Sequence, residues 1–124
     1  MSVYSIGVDI ADIDRVGRIV DQYGERFTRK VFTETEVIYC TSKAAYAHSF
    51  AARFAAKEAV FKALGTGLGL GMWWKDVEVI NRENGKPELQ LHGNTARMLQ
   101  DKTVHLSLSH SGNQAIAMVV VENN

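Results

Sequence analysis

Strict alternation opens the chain: Tyr4, Ile6, Val8 and Ile10 fall on one face of an extended strand, and Ser5, Gly7 and Asp9 on the other. Asp9 therefore points away from its apolar neighbours. The period then changes. Ile13, Val16, Ile19, Val20 and Tyr23 recur at helical spacing behind Asp12, a capping residue, and Gly24 supplies a stop. Thr33 with Glu36 three residues later forms a capping box for a short helix reaching Cys40. A long helix follows from about Ala44 to Leu64, with Phe50, Phe54, Phe61 and Leu64 as its apolar stripe. Ala51, Ala52, Ala55, Ala56 and Ala59 give it a side that another backbone can approach closely. Gly65 ends it, and Gly67, Gly69 and Gly71 keep the next loop pliable.

The second half reads as strands. Val77 to Ile80 and Glu88 to Leu91 flank a turn at Asn84-Gly85, with Pro87 entering the second strand at its edge. Asn94 caps a brief helix carrying Ala96, Met98 and Leu99. Val104, Leu106 and Leu108 then alternate with His105, Ser107 and Ser109, and a turn over 110–113 leads to Ala115–Val121, apolar on both faces. Such a strand is central in a sheet or buried at a subunit contact. There is no internal repeat or linker, so the expected class is α+β with residues 1–124 as one domain.

Composition narrows the function classes. The 124 residues are 46% apolar and 23% charged, enough for a globular core. Fourteen basic and fourteen acidic residues cancel, so no broad basic surface for nucleic acid is expected. Cys40, the single cysteine, has no disulfide or zinc partner, which fits a reducing, cytoplasmic setting. Asp9 and Asp12 interrupt the start of the chain, which argues against a signal peptide, and the run Ala115–Val121 is too short for a bilayer.

The segment from Arg53 to Gly67 carries the candidate chemistry. Glu58 and Lys62 are four apart in the favourable order for an ion pair, and a surface salt bridge is the simplest reading. Lys57 falls inside the apolar stripe, where a cation either snorkels out or needs a partner. Asp9 and Glu58 are hard oxygen donors; two carboxylates with phosphate oxygens and water suit octahedral Mg²⁺. The glycines after Leu64 lie at the wrong end of their helix for a phosphate cradle. His105, Ser107, Ser109 and His110 lack the elbow of a hydrolase and are expected to form a polar strand face. Arg15, Arg18, Gln22, Arg26 and Arg29 recur at three and four, and are expected to line one face of the first helix as a basic stripe.

Taken together, Ile6-Gly7-Val8-Asp9-Ile10, the run Arg53-Phe54-Ala55-Ala56-Lys57-Glu58-Ala59 with Lys62-Ala63-Leu64-Gly65, and His105-Leu106-Ser107-Leu108-Ser109-His110 resemble the holo-[acyl-carrier-protein] synthases, the short bacterial 4'-phosphopantetheinyl transferases. Phe32-Thr33 with Glu36, Asp76-Val77-Glu78-Val79 and Asn84-Gly85-Lys86-Pro87 extend the likeness over nearly the whole chain. The resemblance implies a small α+β domain, an antiparallel sheet packed with one long and several short helices, that forms a homotrimer with active sites at the subunit interfaces. It implies Mg²⁺-dependent transfer of phosphopantetheine from coenzyme A to a serine of apo acyl carrier protein, in support of fatty acid biosynthesis. Asp9 and Glu58 match the family's metal ligands and Lys62 its pyrophosphate contact. Arg53, Gly65, Lys86, Pro87 and His105 would hold the nucleotide end of coenzyme A, with Arg53 and His105 on the 3'-phosphate. Arg15, Arg18, Gln22, Arg26 and Arg29 would meet the acidic carrier protein. Glu58, Glu36 and a water on the ion remain alternative acceptors of the serine proton. A silent coenzyme A-binding module and a different Mg²⁺-dependent phosphotransferase or nucleotide hydrolase are the competing readings.

Overall fold

Two glycines and a capping aspartate divide the first part of the chain. The computed structural model describes residues 2–65 and 71–124; Gly67 and Gly69 of the expected loop lie outside the described residues. Strand β1 (Val3–Asp12) runs directly into helix α1 (Ile13–Tyr23), which Asp12 caps by accepting the Arg15 backbone N–H. Gly24, at φ 56°, ends α1 and begins a second helix, α2 (Glu25–Val31), which the apolar pattern did not announce. The expected capping box is present in α3 (Glu34–Thr41): Thr33 and Glu36 satisfy each other's backbone N–H. Helix α4 (Tyr46–Leu64) starts later than expected and stops at Gly65, which takes the left-handed conformation at φ 76°.

After a 3₁₀ turn (Trp74–Asp76) come β2 (Val77–Asn81) and β3 (Pro87–Leu91), an antiparallel pair with Pro87 as the first residue of its strand. Helix α5 (Gly93–Met98) is capped at His92 rather than Asn94, whose side chain donates instead to the Gly71 carbonyl. Strands β4 (Lys102–Ser111) and β5 (Gln114–Asn123) complete an antiparallel sheet in the order β1-β5-β4. The apolar strand of the sequence is thus the central one. No helix among the described residues is long and apolar enough to cross a membrane.

The faces of this sheet invert a simple reading of the alternation. The small and polar residues of β1 face the core: Gly7 and Ala11 are buried there with Ala117, Val119 and Val121 of β5. Ile6, Val8 and Ile10 face outward, more than half exposed, in rows with Val120, Met118 and Ile116 and then with His105, Ser107 and Ser109 of β4. The inner face needs small residues because α4 lies against it. A Cβ on Gly7 would collide with the Ala59 carbonyl oxygen and stand 2.9 Å from the Ala63 backbone nitrogen. The Ser5 hydroxyl donates to the Ala63 carbonyl at 2.5 Å and ties the same crossing. Helix α4 is buried nearly all round, with Phe50, Ala51, Ala55, Ala56, Ala59, Val60 and Phe61 at most 1% exposed.

Candidate active site

The close approach of β1 to α4 brings three ionisable groups together. Lys62 reaches across from α4 and donates to Asp9 Oδ1 at 2.8 Å and to the Val8 carbonyl at 3.3 Å. The expected i,i+4 pair with Glu58 gives way to this tertiary bond. Glu58, one turn earlier and half-buried, feels both partners: burial first, then the charge of Asp9, pushes its carboxyl above the ordinary 4.5, while Lys62 pulls the other way. The hydrogen bond and charge of Asp9 in turn raise the Lys62 ammonium above its ordinary 10.5. Two carboxylates that repel each other beside a single cation form a donor set with room for more positive charge. Among the described residues no group of three or more His, Cys, Asp or Glu is gathered. Asp9 and Glu58 therefore suit a hard divalent ion only when substrate oxygens and water fill its remaining positions.

A second group lies along the other edge of the sheet. Lys86, Pro87 and His105 share a cleft of about 300 Å³ with Thr103 and Leu106. Pro87 also borders an adjoining cleft of about 280 Å³ with Arg53, Tyr39, His48, Ser109 and His110. Arg53 is almost fully buried, lies 4.3 Å over the Tyr39 ring, and donates to Asn81 Oδ1 and to the Ser49 carbonyl. Its Nε is buried without a hydrogen-bond partner among the described residues. Tyr39 and Asn81, which hold the guanidinium, carry no local sequence signal that could have identified them. His105 stands exposed, its Nε2 3.3 Å from Glu122 Oε1. Gly65 caps α4 apart from both clefts as lined.

The structure divides the expected basic stripe. Arg15, Arg18 and Gln22 are exposed on α1, but Arg26 and Arg29 belong to α2, beyond the bend at Gly24. A period of three and four cannot continue through a residue at φ 56°. Arg29 also pairs with Glu25 at 3.4 Å. Arg15 borders an apolar cleft of about 390 Å³ lined by Ile10, Val16, Ile19, Phe27 and Phe54.

Glu36 is enclosed, out of reach of a substrate hydroxyl. It is 1% exposed and accepts from Lys57 Nζ at 2.7 Å, from the Thr33 N–H and from the Val79 N–H. Lys57 does not snorkel: it is fully buried, and burial lowers its pKa against the opposing charge of Glu36.

Residues 5–119 match the family model of the 4'-phosphopantetheinyl transferase superfamily. The chain belongs to that superfamily. This transferase is 46% identical to the holo-[acyl-carrier-protein] synthase of Geobacter sulfurreducens, over 97% of this chain and 98% of that protein. It is 42% identical to the holo-[acyl-carrier-protein] synthase of Solibacter usitatus, over 98% and 99%. Among solved structures, the Bacillus anthracis holo-(acyl-carrier-protein) synthase in complex with CoA (3',5'-ADP) superimposes at a TM-score of 0.84, 35% identity and 100% of both chains. The Neisseria meningitidis holo-[acyl-carrier-protein] synthase gives 0.87 at 31% identity, covering 98% of this transferase and 99% of that chain. The small α+β fold with antiparallel sheets is the one expected.

Proposed function

We propose that this transferase moves the 4'-phosphopantetheine group of coenzyme A to a serine of an apo acyl carrier protein and releases adenosine 3',5'-bisphosphate, in the cytoplasm and in support of fatty acid biosynthesis. The observation that carries the reading is the meeting of Asp9, Glu58 and Lys62 where β1 crosses α4. The serine Oγ attacks the β-phosphorus; the Oγ–P bond forms and the bond from phosphorus to the bridging oxygen breaks. The leaving group departs with that oxygen's electron pair. Such a transfer asks for positioning and charge neutralisation more than for covalent help. Asp9 and Glu58 would hold a divalent ion, Mg²⁺, which supplies charge neutralisation to the pyrophosphate. Lys62 turns its ammonium from Asp9 to a pyrophosphate oxygen as a point charge. Glu58, half-buried beside Asp9 and Lys62, is the accessible side-chain acceptor for the serine proton now that Glu36 is enclosed.

The nucleotide end belongs to Arg53, Gly65, Lys86, Pro87 and His105. The unpaired Nε of Arg53 supports the 3'-phosphate assignment. Within one chain, however, Asp9 faces inward on β1 and His105 faces outward on β4, at opposite edges of the three-stranded sheet. One substrate that touches both sets is shared between copies. The exposed apolar rows of β1 and β5 give those copies a contact surface, which supports a homotrimer. Arg15, beside an apolar cleft, and Arg18 on the same helix suit an acidic amphipathic helix of the carrier; Gln22 on α1 and Arg26 and Arg29 beyond the bend extend that surface. No role for nucleic acid or membrane is proposed.

Incubation with coenzyme A, Mg²⁺ and apo carrier protein, followed by intact mass, tests the reading. The carrier should gain the mass of one phosphopantetheine. Asp9→Ala or Glu58→Ala should slow the gain roughly thousands-fold while the protein stays folded, because charge neutralisation is worth several kcal/mol at the transition state. Binding of coenzyme A without any mass gain would leave only a binding module; consumption of coenzyme A without carrier modification would indicate a hydrolase.

A further inference from the structure

Of the Lys, Arg, Asp and Glu residues of α4, Lys57 alone is left unused by the proposed chemistry, and its surroundings are unusual for a lysine. It is fully buried, and its ammonium donates to Glu36 Oε1 at 2.7 Å, to the Trp74 carbonyl at 3.2 Å and to the Val77 carbonyl. Its donor capacity is thereby filled. Glu36 is equally enclosed, fixed by the Thr33 and Val79 N–H groups.

We infer that Lys57 and Glu36 are positioning residues for the transfer reaction: their buried ion pair sets the rotation of α4 about its axis and so aims Glu58 and Lys62 at Asp9. Apolar packing sets this only coarsely for α4. Its alanines form one broad side, which Ala59 and Ala63 bring against Gly7, and a run of equally small side chains tolerates a range of rotations. Its charged residues Arg53, Lys57, Glu58 and Lys62 fall on two stripes. Arg53 and Lys57, one turn apart, face β2, α3 and the 3₁₀ turn, where both are bonded to fixed partners. Glu58 and Lys62, also one turn apart and about 100° around from Lys57, face β1. The first stripe fixes what the second presents. A turn of only ~10° moves a side chain held about 5 to 6 Å from the axis by roughly 1 Å, a misplacement that costs ~10²-fold in rate. Buried ion pairs contribute little net stability over apolar isosteres, and their best-attested use is to specify register. That balance favours positioning over simple reinforcement of the core.

The inference rests on the proposed ion and phosphate site, and its test separates the two. Lys57→Met combined with Glu36→Gln removes both charges at nearly constant volume. The double variant should melt within a few degrees of the parent and keep its KM for the carrier protein. Its kcat should fall ~10- to 100-fold, and its Kd for Mn²⁺, read from free Mn²⁺ by electron paramagnetic resonance, should rise about 10-fold. A folded double variant with kcat and Mn²⁺ affinity within threefold of the parent overturns the inference. Should the double variant not fold, Glu36→Gln alone decides, since Lys57 keeps its two carbonyl acceptors: a several-fold loss of kcat is expected, and parental kcat with parental Mn²⁺ affinity overturns it. Asp9→Asn is the reference. If that change leaves Mn²⁺ binding of the parent untouched, the ion site itself is refuted, and kcat still judges the aim of Lys62.

Discussion

Substituting Gly7 by alanine adds one methyl group at the point where β1 crosses α4, two residues from Asp9. The new carbon would meet backbone on every near side: the Ala59 carbonyl, the Ala59 carbon at 3.0 Å and the Ala63 nitrogen at 2.9 Å. None of these can rotate away as a side chain would. Ordinary contact between such atoms is about 3.5 Å and the Ala59 oxygen lies nearest, so strand and helix must part by roughly 1 to 1.5 Å. Overpacking of this kind costs ~1 to 3 kcal/mol, which for a domain of this size lowers the melting midpoint by about 5 to 10 °C. The same displacement carries Asp9 away from Glu58 and Lys62, and a shift near 1 Å costs ~10²-fold in kcat. Intact-mass assays at saturating coenzyme A and circular-dichroism melts read the two effects separately. Gly17→Ala, on α1 rather than β1, is the comparison: among the described residues its methyl meets the Ala47 methyl at 2.8 Å, at the start of α4. It too should lower stability, since the Ala47 carbon is fixed to its backbone, but the strain falls away from Glu58 and Lys62 and kcat should stay intact. A Gly7→Ala protein with parental kcat and melting midpoint would refute the view that this crossing places the site.

Glu58 should titrate above 4.5 by carboxyl ¹³C NMR, because burial and then the charge of Asp9 favour its protonated form. A raised acid costs the fold stability above that pH window, so stability should fall as pH rises through it; Asp9→Asn should lower the Glu58 pKa and shrink the fall. An unchanged Glu58 titration in that variant would show that the carboxylates do not interact. Reversing Arg15 and Arg18 to Glu should raise the KM for the carrier, weaken its salt dependence and cost about 1 to 3 kcal/mol in kcat/KM, with coenzyme A binding as the internal control. Equal loss of both affinities would mean a misfolded variant. The protein should sediment as a trimer and Val8→Asp, on the outer sheet face, should break it into inactive monomers. A monomer fully active at nanomolar concentration would rule out shared sites.

What the sequence made legible was local. Asp12, Gly24, the Thr33–Glu36 box and Gly65 act through their own backbone neighbours, and each appears where the pattern put it. Helix α2 escaped because Gly24 serves both as the end of one helix and the start of the next, and its seven residues are too few for a clear apolar period. Alternation in β1 announced two faces but not which was inside; that depended on α4, some fifty residues away, needing Gly7 and Ala11 for its approach. The same limit applies to charge partners. The i,i+4 rule offered Glu58 to Lys62, and a bond to Asp9 across 53 positions prevailed. Lys57 advertised the need for a partner, yet nothing in the chain pointed to Glu36, whose role as a cap was already sufficient explanation.

The placement of β5 between β1 and β4 has a consequence for how the chain is made. Val3 pairs with Glu122, so the strand synthesised first can find its neighbour only when nearly the whole chain has been translated. Closing a loop of that length costs about 4 kcal/mol in chain entropy, recovered only as the full ladder of β1 and β5 forms. At ~5 to 20 residues per second, β1 waits roughly 6 to 25 s for its partner. During that time α4, rich in alanine, can already be helical, but it lacks the three-stranded sheet that its small side packs on. Translation halted before β5 leaves β1 and β4 without a neighbour, so the nascent chain passes from having none of the three-stranded sheet to having all of it.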